Sequence, residues 1–158
     1  EVLSTDYESI INEAETLSSL HENIVVKVPM CKDGIKAIRY LSDKEIKTNC
    51  TLVFSAGQAI LAAKAGATYV SPFIGRIDDS GVDGLQLVEQ IVHIFSMHGF
   101  ENQVLAASIR NTMHIIKCAE LGADVITSPL SSILGLLYHP LTDLGIAKFT
   151  EDSWKMKS

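Results

Sequence analysis

Apolar residues recur in two periods along this chain. Short β-branched runs, of which Ile24-Val25-Val26-Lys27-Val28 is the first, alternate with longer stretches in which apolar positions return every three or four residues. That alternation predicts parallel βαβ units. Strands are expected at Ile24–Val28, Thr48–Val53, Thr68–Phe73, Val104–Ser108 and Asp124–Thr127. Ile10, Ile11, Ala14, Leu17 and Leu20 share one stripe, so Tyr7–Leu20 reads as an amphipathic helix opened by Thr5-Asp6 as its cap. Ile35, Ile38 and Leu41 mark a second helix over Asp33–Leu41, with more near 56–65, 83–97, 112–121 and 131–138. Helical period continues through Ile146, Phe149 and Trp154, predicting a C-terminal helix with one large aromatic to bury.

Two strands are announced by near-identical phrases, Ala65-Gly66-Ala67 and Leu121-Gly122-Ala123, where a glycine ends one helix and lets the chain turn into the sheet. The strand starts recur at about 25 residues, the size of one compact βα unit. Such units close into an eightfold barrel or remain an open doubly wound sheet. Eight of them need roughly 200 residues, and this chain holds about six units' worth.

Composition narrows the class. With 158 residues, 47% of them hydrophobic, the chain can bury a sizeable core, and positions 1–158 read as a single domain. Nineteen acids against 13 bases give a net charge of −6, with no basic cluster to meet a phosphate backbone, which argues against nucleic acid as a partner. Any anionic substrate must therefore be held by a few local cations. Cys31, Cys50 and Cys118 are odd in number and far apart, neither a zinc site nor a disulfide framework, and fit a reducing cytoplasm. No apolar run approaches the 18 residues of a membrane span, and no export signal is expected.

Lys27 is the most informative position, an ammonium amid an apolar strand. Alternation sets Val25, Lys27 and Pro29 on one face and Ile24, Val26 and Val28 on the other. A lysine buried there would favour its neutral form, the nucleophile that captures a ketone as a Schiff base. A strand lysine pointing to solvent or pairing with a carboxylate is the alternative. The same alternation groups Asn49, Thr51 and Val53 on one strand and Tyr69, Ser71 and Phe73 on the next. Polar groups on a parallel strand suggest a lined cavity or, more plainly, capped strand ends. Arg76, Ser108 and Arg110 follow strand C-termini, where parallel α/β folds gather their sites, and suit a phosphate or carboxylate, though each arginine alone could be a solvated surface residue. Asp78-Asp79 reads as a solvated turn before a cation site, Cys31 as a small buried filler, and the histidines show no metal-ligand spacing.

Four ordered phrases carry a family resemblance. They are Asn23-Ile24-Val25-Val26-Lys27-Val28-Pro29-Met30, Lys47-Thr48-Asn49-Cys50-Thr51-Leu52, the run Gly66 to Asp78 containing Ser71-Pro72-Phe73-Ile74-Gly75-Arg76, and Ala106-Ala107-Ser108-Ile109-Arg110. Together they resemble the transaldolase family, in the small-subunit branch that also holds fructose 6-phosphate aldolase. The resemblance implies a (β/α)8 TIM barrel of the class I aldolase type, with this chain starting inside the third strand and the earlier strands, which supply an Asp and an Asn, outside it. It implies Lys27 as the Schiff-base lysine and Thr51 with Glu1 as the pair handling the catalytic water. Asn49 and Ser71 would lie in the donor site, and Arg76, Ser108 and Arg110 would take the phosphate. Phe73 and Glu1, where the aldolase branch carries Tyr and Gln, favour transfer of a dihydroxyacetone unit between sugar phosphates over simple cleavage. Cleavage, or an inactive truncated fragment, are the competing expectations. Neither metal nor organic cofactor is implied. A ring-like homo-oligomer such as a decamer is, with the segment from Phe149 to Trp154 in a closing helix that reaches a neighbouring subunit.

Overall fold

The computed structural model describes residues 1–157. Helix α1 (Tyr7–Ser18) is opened by Asp6, whose carboxylate accepts the Ser9 N–H at 3.0 Å, the predicted cap. That bond also holds Asp6 below the usual carboxylate range. Strand β1 (Val26–Pro29) starts two residues later than predicted, because Ile24 is engaged in a turn, its N–H donating to the His21 carbonyl at 3.0 Å. Helix α2 (Lys32–Asp43) corrects the reading of Cys31 as a buried filler: this residue is half-buried and is the cap, its sulfur accepting the Gly34 N–H. Gly34 is required there, since a Cβ would sit 2.1 Å from the Pro29 carbonyl oxygen.

Strand β2 (Thr48–Val53) and helix α3 (Ala56–Ala65) match the predicted bounds, and Gly66 ends α3 at φ 95°, a left-handed turn that a side chain would strain. Strand β3 (Tyr69–Pro72) leads into a short helix α4 (Ile74–Asp78) that the pattern does not predict, then α5 (Leu85–His98). Strand β4 (Gln103–Ala106) stops short of Ser108, which adopts φ 58° and cannot continue a ladder. Helix α6 (Thr112–Glu120), a two-residue β5 (Val125–Ile126), α7 (Leu130–Leu134), a 3-10 turn (Gly135–Leu137) and α8 (Pro140–Lys157) follow.

The five strands lie parallel in sequence order, β1-β2-β3-β4-β5. Successive crossover helices pack on one another, α1 on α2, α2 on α3, α3 on α5 and α5 on α6, so they form one layer on one face. A doubly wound sheet reverses its order and places helices on both faces; this winding is that of a (β/α)8 barrel. The helix-facing side is the core. Val26, Val28, Cys50, Val70 and Val104 meet Ile10, Ile38 and Leu41 there, all essentially inaccessible to solvent. Truncating Leu41 to alanine at such a site costs about 2–5 kcal/mol.

One feature of β2 overturns a predicted face. Cys50 pairs with Val70 and Val53 with Pro72, so β2 spends three residues where β3 spends two. The extra residue is Leu52 at φ 62°. The bulge flips the alternation: Val53 joins the helix-facing core instead of lying beside Asn49 and Thr51, and Phe54 takes its place, its ring centroid 5.8 Å from that of Phe73. Trp154 also departs from expectation. It is 72% exposed, as is Phe149 on the same helix, because α8 packs on no other element to any extent among the described residues; Leu137 in the preceding 3-10 turn is exposed too.

Candidate active site

The sheet face away from the helices carries the polar side chains. Lys27 pairs in register with Asn49, Pro29 with Thr51, and Asn49 with Tyr69. Parallel register sets partnered side chains on the same face of neighbouring strands, so Lys27, Asn49 and Thr51 form one cluster with Ser71. The Ser71 hydroxyl donates to Asn49 Oδ1 at 2.7 Å, both side chains being buried, which fixes the amide's orientation. Thr51 is fully buried and its Oγ1 has no hydrogen-bond partner. A hydroxyl left so costs about 1–3 kcal/mol unless water or a ligand meets it.

Lys27 is less sequestered than its strand suggests. Its side chain is 34% exposed and its Nζ lies 3.4 Å from Glu1 Oε2, so the expected water-poor burial is replaced by a half-buried amine beside a carboxylate. The physical reason is its face: Val26 and Val28 turn to the helices, and Lys27 turns to the open, concave side. Glu1 is set by its own segment. The Val2 N–H donates to the Lys27 carbonyl at 3.0 Å, laying residues 1–3 along the free edge of β1. Glu13 on α1 clamps the same segment, accepting the Leu3 N–H at 2.7 Å and the Ser4 hydroxyl. Those two bonds hold the Glu13 carboxyl below its ordinary range.

The predicted anion residues follow β3 and β4. Phe73 is buried and bridges in parallel to Ala107, and the Gly75 N–H donates to the Ser108 carbonyl at 2.9 Å, which brings the two loops together. Arg76 lies with its guanidinium carbon 5.0 Å from the Phe73 ring centroid. Arg110 crosses Gly75 closely, and its Nη2 lies 2.7 Å from Asp79 Oδ2. The pair Asp78-Asp79, expected as a solvated turn, is instead committed: Asp78 meets His114 and the Gly84 N–H, and Asp79 meets Arg110. Sequence pattern missed Phe54, revealed by the bulge, and His114, whose contact with Asp78 joins α6 to α4 and leaves no signal in spacing. Burial pushes the Cys50 thiol up to about 12 and the Cys118 thiol up to about 11, which disfavours the thiolate of each. A cleft of about 620 Å³ between Ala63–Thr68 and Gly99–Gln103 lies at the opposite, N-terminal strand ends and carries none of these residues.

The family model described as Transaldolase/Fructose-6-phosphate aldolase matches residues 1–157. The chain belongs to this family. A probable transaldolase from Cytophaga hutchinsonii is 64% identical over 156 residues, covering 99% of this chain and 72% of that protein. One from Phocaeicola vulgatus has the same identity and coverage, and one from Flavobacterium psychrophilum is 62% identical over 152 residues, covering 96% of this chain and 70% of that protein. Membership accords with the barrel winding. No helix among the described residues is long and apolar enough to cross a membrane.

Proposed function

We propose that this chain is a transaldolase, a transferase that moves a dihydroxyacetone unit from a ketose phosphate to an aldose phosphate through a Schiff base on Lys27. The observation that carries this reading is the amine's placement: Lys27 Nζ stands beside the Glu1 carboxylate, on a strand face lined by Asn49, Ser71 and the unpartnered Thr51 hydroxyl. Relatives named probable transaldolases at 64% identity support the reaction class.

The Lys27 amine adds to the ketose carbonyl, the carbinolamine loses water, and an iminium forms. Loss of the C4 hydroxyl proton, relayed by a water held between Glu1 and Thr51, breaks the C3–C4 bond; its electron pair enters the iminium and the shortened aldose phosphate leaves. The resulting enamine attacks the acceptor's aldehyde carbon, its oxygen takes a proton, and hydrolysis frees Lys27. Asn49 and Ser71 hold the donor hydroxyls, Phe73 closes the apolar side, and Arg76, Ser108 and Arg110 take the phosphate. Sedoheptulose 7-phosphate and fructose 6-phosphate are the donors on this reading, glyceraldehyde 3-phosphate and erythrose 4-phosphate the acceptors, which sets the enzyme in the pentose phosphate pathway. Three free thiols support a reducing, cytoplasmic setting, and the exposed Leu137, Leu141, Phe149 and Trp154 support assembly with further copies.

Borohydride reduction in the presence of fructose 6-phosphate is expected to fix a three-carbon adduct on Lys27, read by peptide mass. An unmodified Lys27 in a folded sample would overturn the proposal. Release of free dihydroxyacetone without an acceptor, at a rate matching transfer, would point to cleavage instead.

A further inference from the structure

Asp78, His114 and the main chain of Arg110 lie in contact, in an arrangement that no step above uses. The His114 side chain is only 13% exposed, and both ring nitrogens are engaged. Its Nε2 lies 3.2 Å from Asp78 Oδ2, and its Nδ1 accepts the Arg110 N–H at 3.3 Å. An Nδ1 that accepts carries no proton, so a neutral ring carries its proton on Nε2, the nitrogen nearest Asp78. The other Asp78 oxygen accepts the Gly84 N–H at 2.8 Å, which anchors the carboxylate to the loop before α5. The ring is held at its base as well, since the His114 N–H donates to the capping Asn111 side chain at 2.9 Å.

This arrangement grips a strained piece of backbone. Ser108 stands at φ 58°, a left-handed conformation that a serine does not adopt without support from its surroundings. Gly75 fits beneath it so tightly that a Cβ would lie 2.3 Å from the Ser108 carbonyl oxygen and 2.5 Å from Arg110 Nε. The Ser108–Arg110 loop is therefore fixed at one end by Gly75 and at the other by the imidazole.

We propose that His114, oriented by Asp78, is a positioning residue for the anion site: its Nδ1 lone pair fixes the Arg110 main chain so that the Ser108 hydroxyl and the Arg110 guanidinium face the same phosphate. The inference rests on the reading of Ser108 and Arg110 as phosphate holders. His114 touches no substrate on this account; it acts through Arg110, as outer residues orient the ligands of other sites.

The test compares a phosphorylated donor with one that lacks the phosphate. His114→Leu is expected to raise KM for fructose 6-phosphate about tenfold while leaving kcat within roughly threefold and KM for fructose unchanged. His114→Asn, whose side-chain oxygen can take the place of Nδ1, should recover most of the loss. Equal changes for both sugars, or no change in His114→Leu, would overturn the proposal. Hydrogen exchange in the unaltered protein gives an answer that does not depend on any variant folding: the Arg110 amide should be protected, and exchange at the rate of a free amide rules the bond out. Arg110→Ala separates the two readings. If it leaves the phosphorylated donor's KM unmoved, the anion assignment itself fails; if it raises that KM and His114→Leu does not, only the present inference falls.

Discussion

The amine cluster and the arginines beyond the strand ends are held by different means. Lys27, Asn49, Thr51 and Ser71 project from strand interiors, and their relative positions follow from ladder register, with one side-chain bond, Ser71 to Asn49, to set an amide. Arg76 projects from the short helix α4, Ser108 and Arg110 from the loop after β4, and the two arginines are held by contacts that the ladder does not supply: a ring beside Arg76, an imidazole on the Arg110 N–H, a carboxylate on its guanidinium. A cluster built on register tolerates change in its neighbours, because the backbone fixes it. A cation pair built beyond the strand ends depends on every member of its network. The side chains of Arg110 and Asp79 are 52% and 63% exposed, so their ion pair is weak and readily exchanged for a dianion.

The sharpest way to break that contrast is to remove the amine. Lys27→Met keeps the strand's length and volume, and turnover is expected to fall by at least about a thousandfold, with circular dichroism unchanged. Next come the two unpartnered hydroxyls of β2, Thr48 Oγ1 on the helix-facing side and Thr51 Oγ1 on the polar side. Each valine replacement removes an unsatisfied polar atom and should leave stability equal or up by about 1 kcal/mol in chemical denaturation. Only Thr51→Val should lower kcat, by about 10- to 100-fold, if its hydroxyl holds the proton-relaying water. A smaller effect is expected at Asp79. Asp79→Asn frees the Arg110 guanidinium and removes a negative charge beside the phosphate, so KM for fructose 6-phosphate should fall about two- to fivefold at low salt, and less at high salt.

The smallest effect concerns pH and the segment that carries Glu1. Glu13 has its carboxyl held below the ordinary value of 4.5 by the Ser4 and Leu3 bonds. The folded state therefore binds its proton less tightly than the unfolded state, so the stabilisation is complete above the ordinary value and is lost as pH falls through the folded one. Glu15 behaves alike, lowered first by its bond to Lys44. Glu13→Gln should flatten the acid side of the stability curve below about pH 5, and should slow adduct formation by loosening Glu1. An unaltered acid transition would show that the clamp contributes nothing.

Much of the fold was legible because period and punctuation are local. The Val26 and Val28 positions, the Asp6 cap and the Gly66 and Gly122 turns all follow from residues within one turn or strand, and the structure keeps them. The polar face of β1 and β2 was legible for the same reason, up to Thr51. Legibility ended at Leu52, where one residue in a left-handed conformation reversed the alternation and exchanged Val53 for Phe54. Nothing in an apolar run of Leu52-Val53-Phe54 marks which residue will bulge. His114 was illegible for a different reason: it is joined to Asp78 across 36 positions of chain by a contact between α6 and the end of α4.

By itself the sequence determined the alternation of strands and helices, the place of the lysine on its strand, and membership of the transaldolase/fructose-6-phosphate aldolase family, since each is written in neighbouring residues or in ordered phrases. Tertiary structure alone decided which helices share a layer and which face of β2 each residue takes after its bulge. It also decided that Lys27 meets Glu1 in a half-buried pair, and that consecutive aspartates hold one arginine by its side chain and, through an imidazole, by its main chain. Those contacts join residues distant in the chain, and only the docking of β3 beside β4 brings their loops within hydrogen-bonding reach.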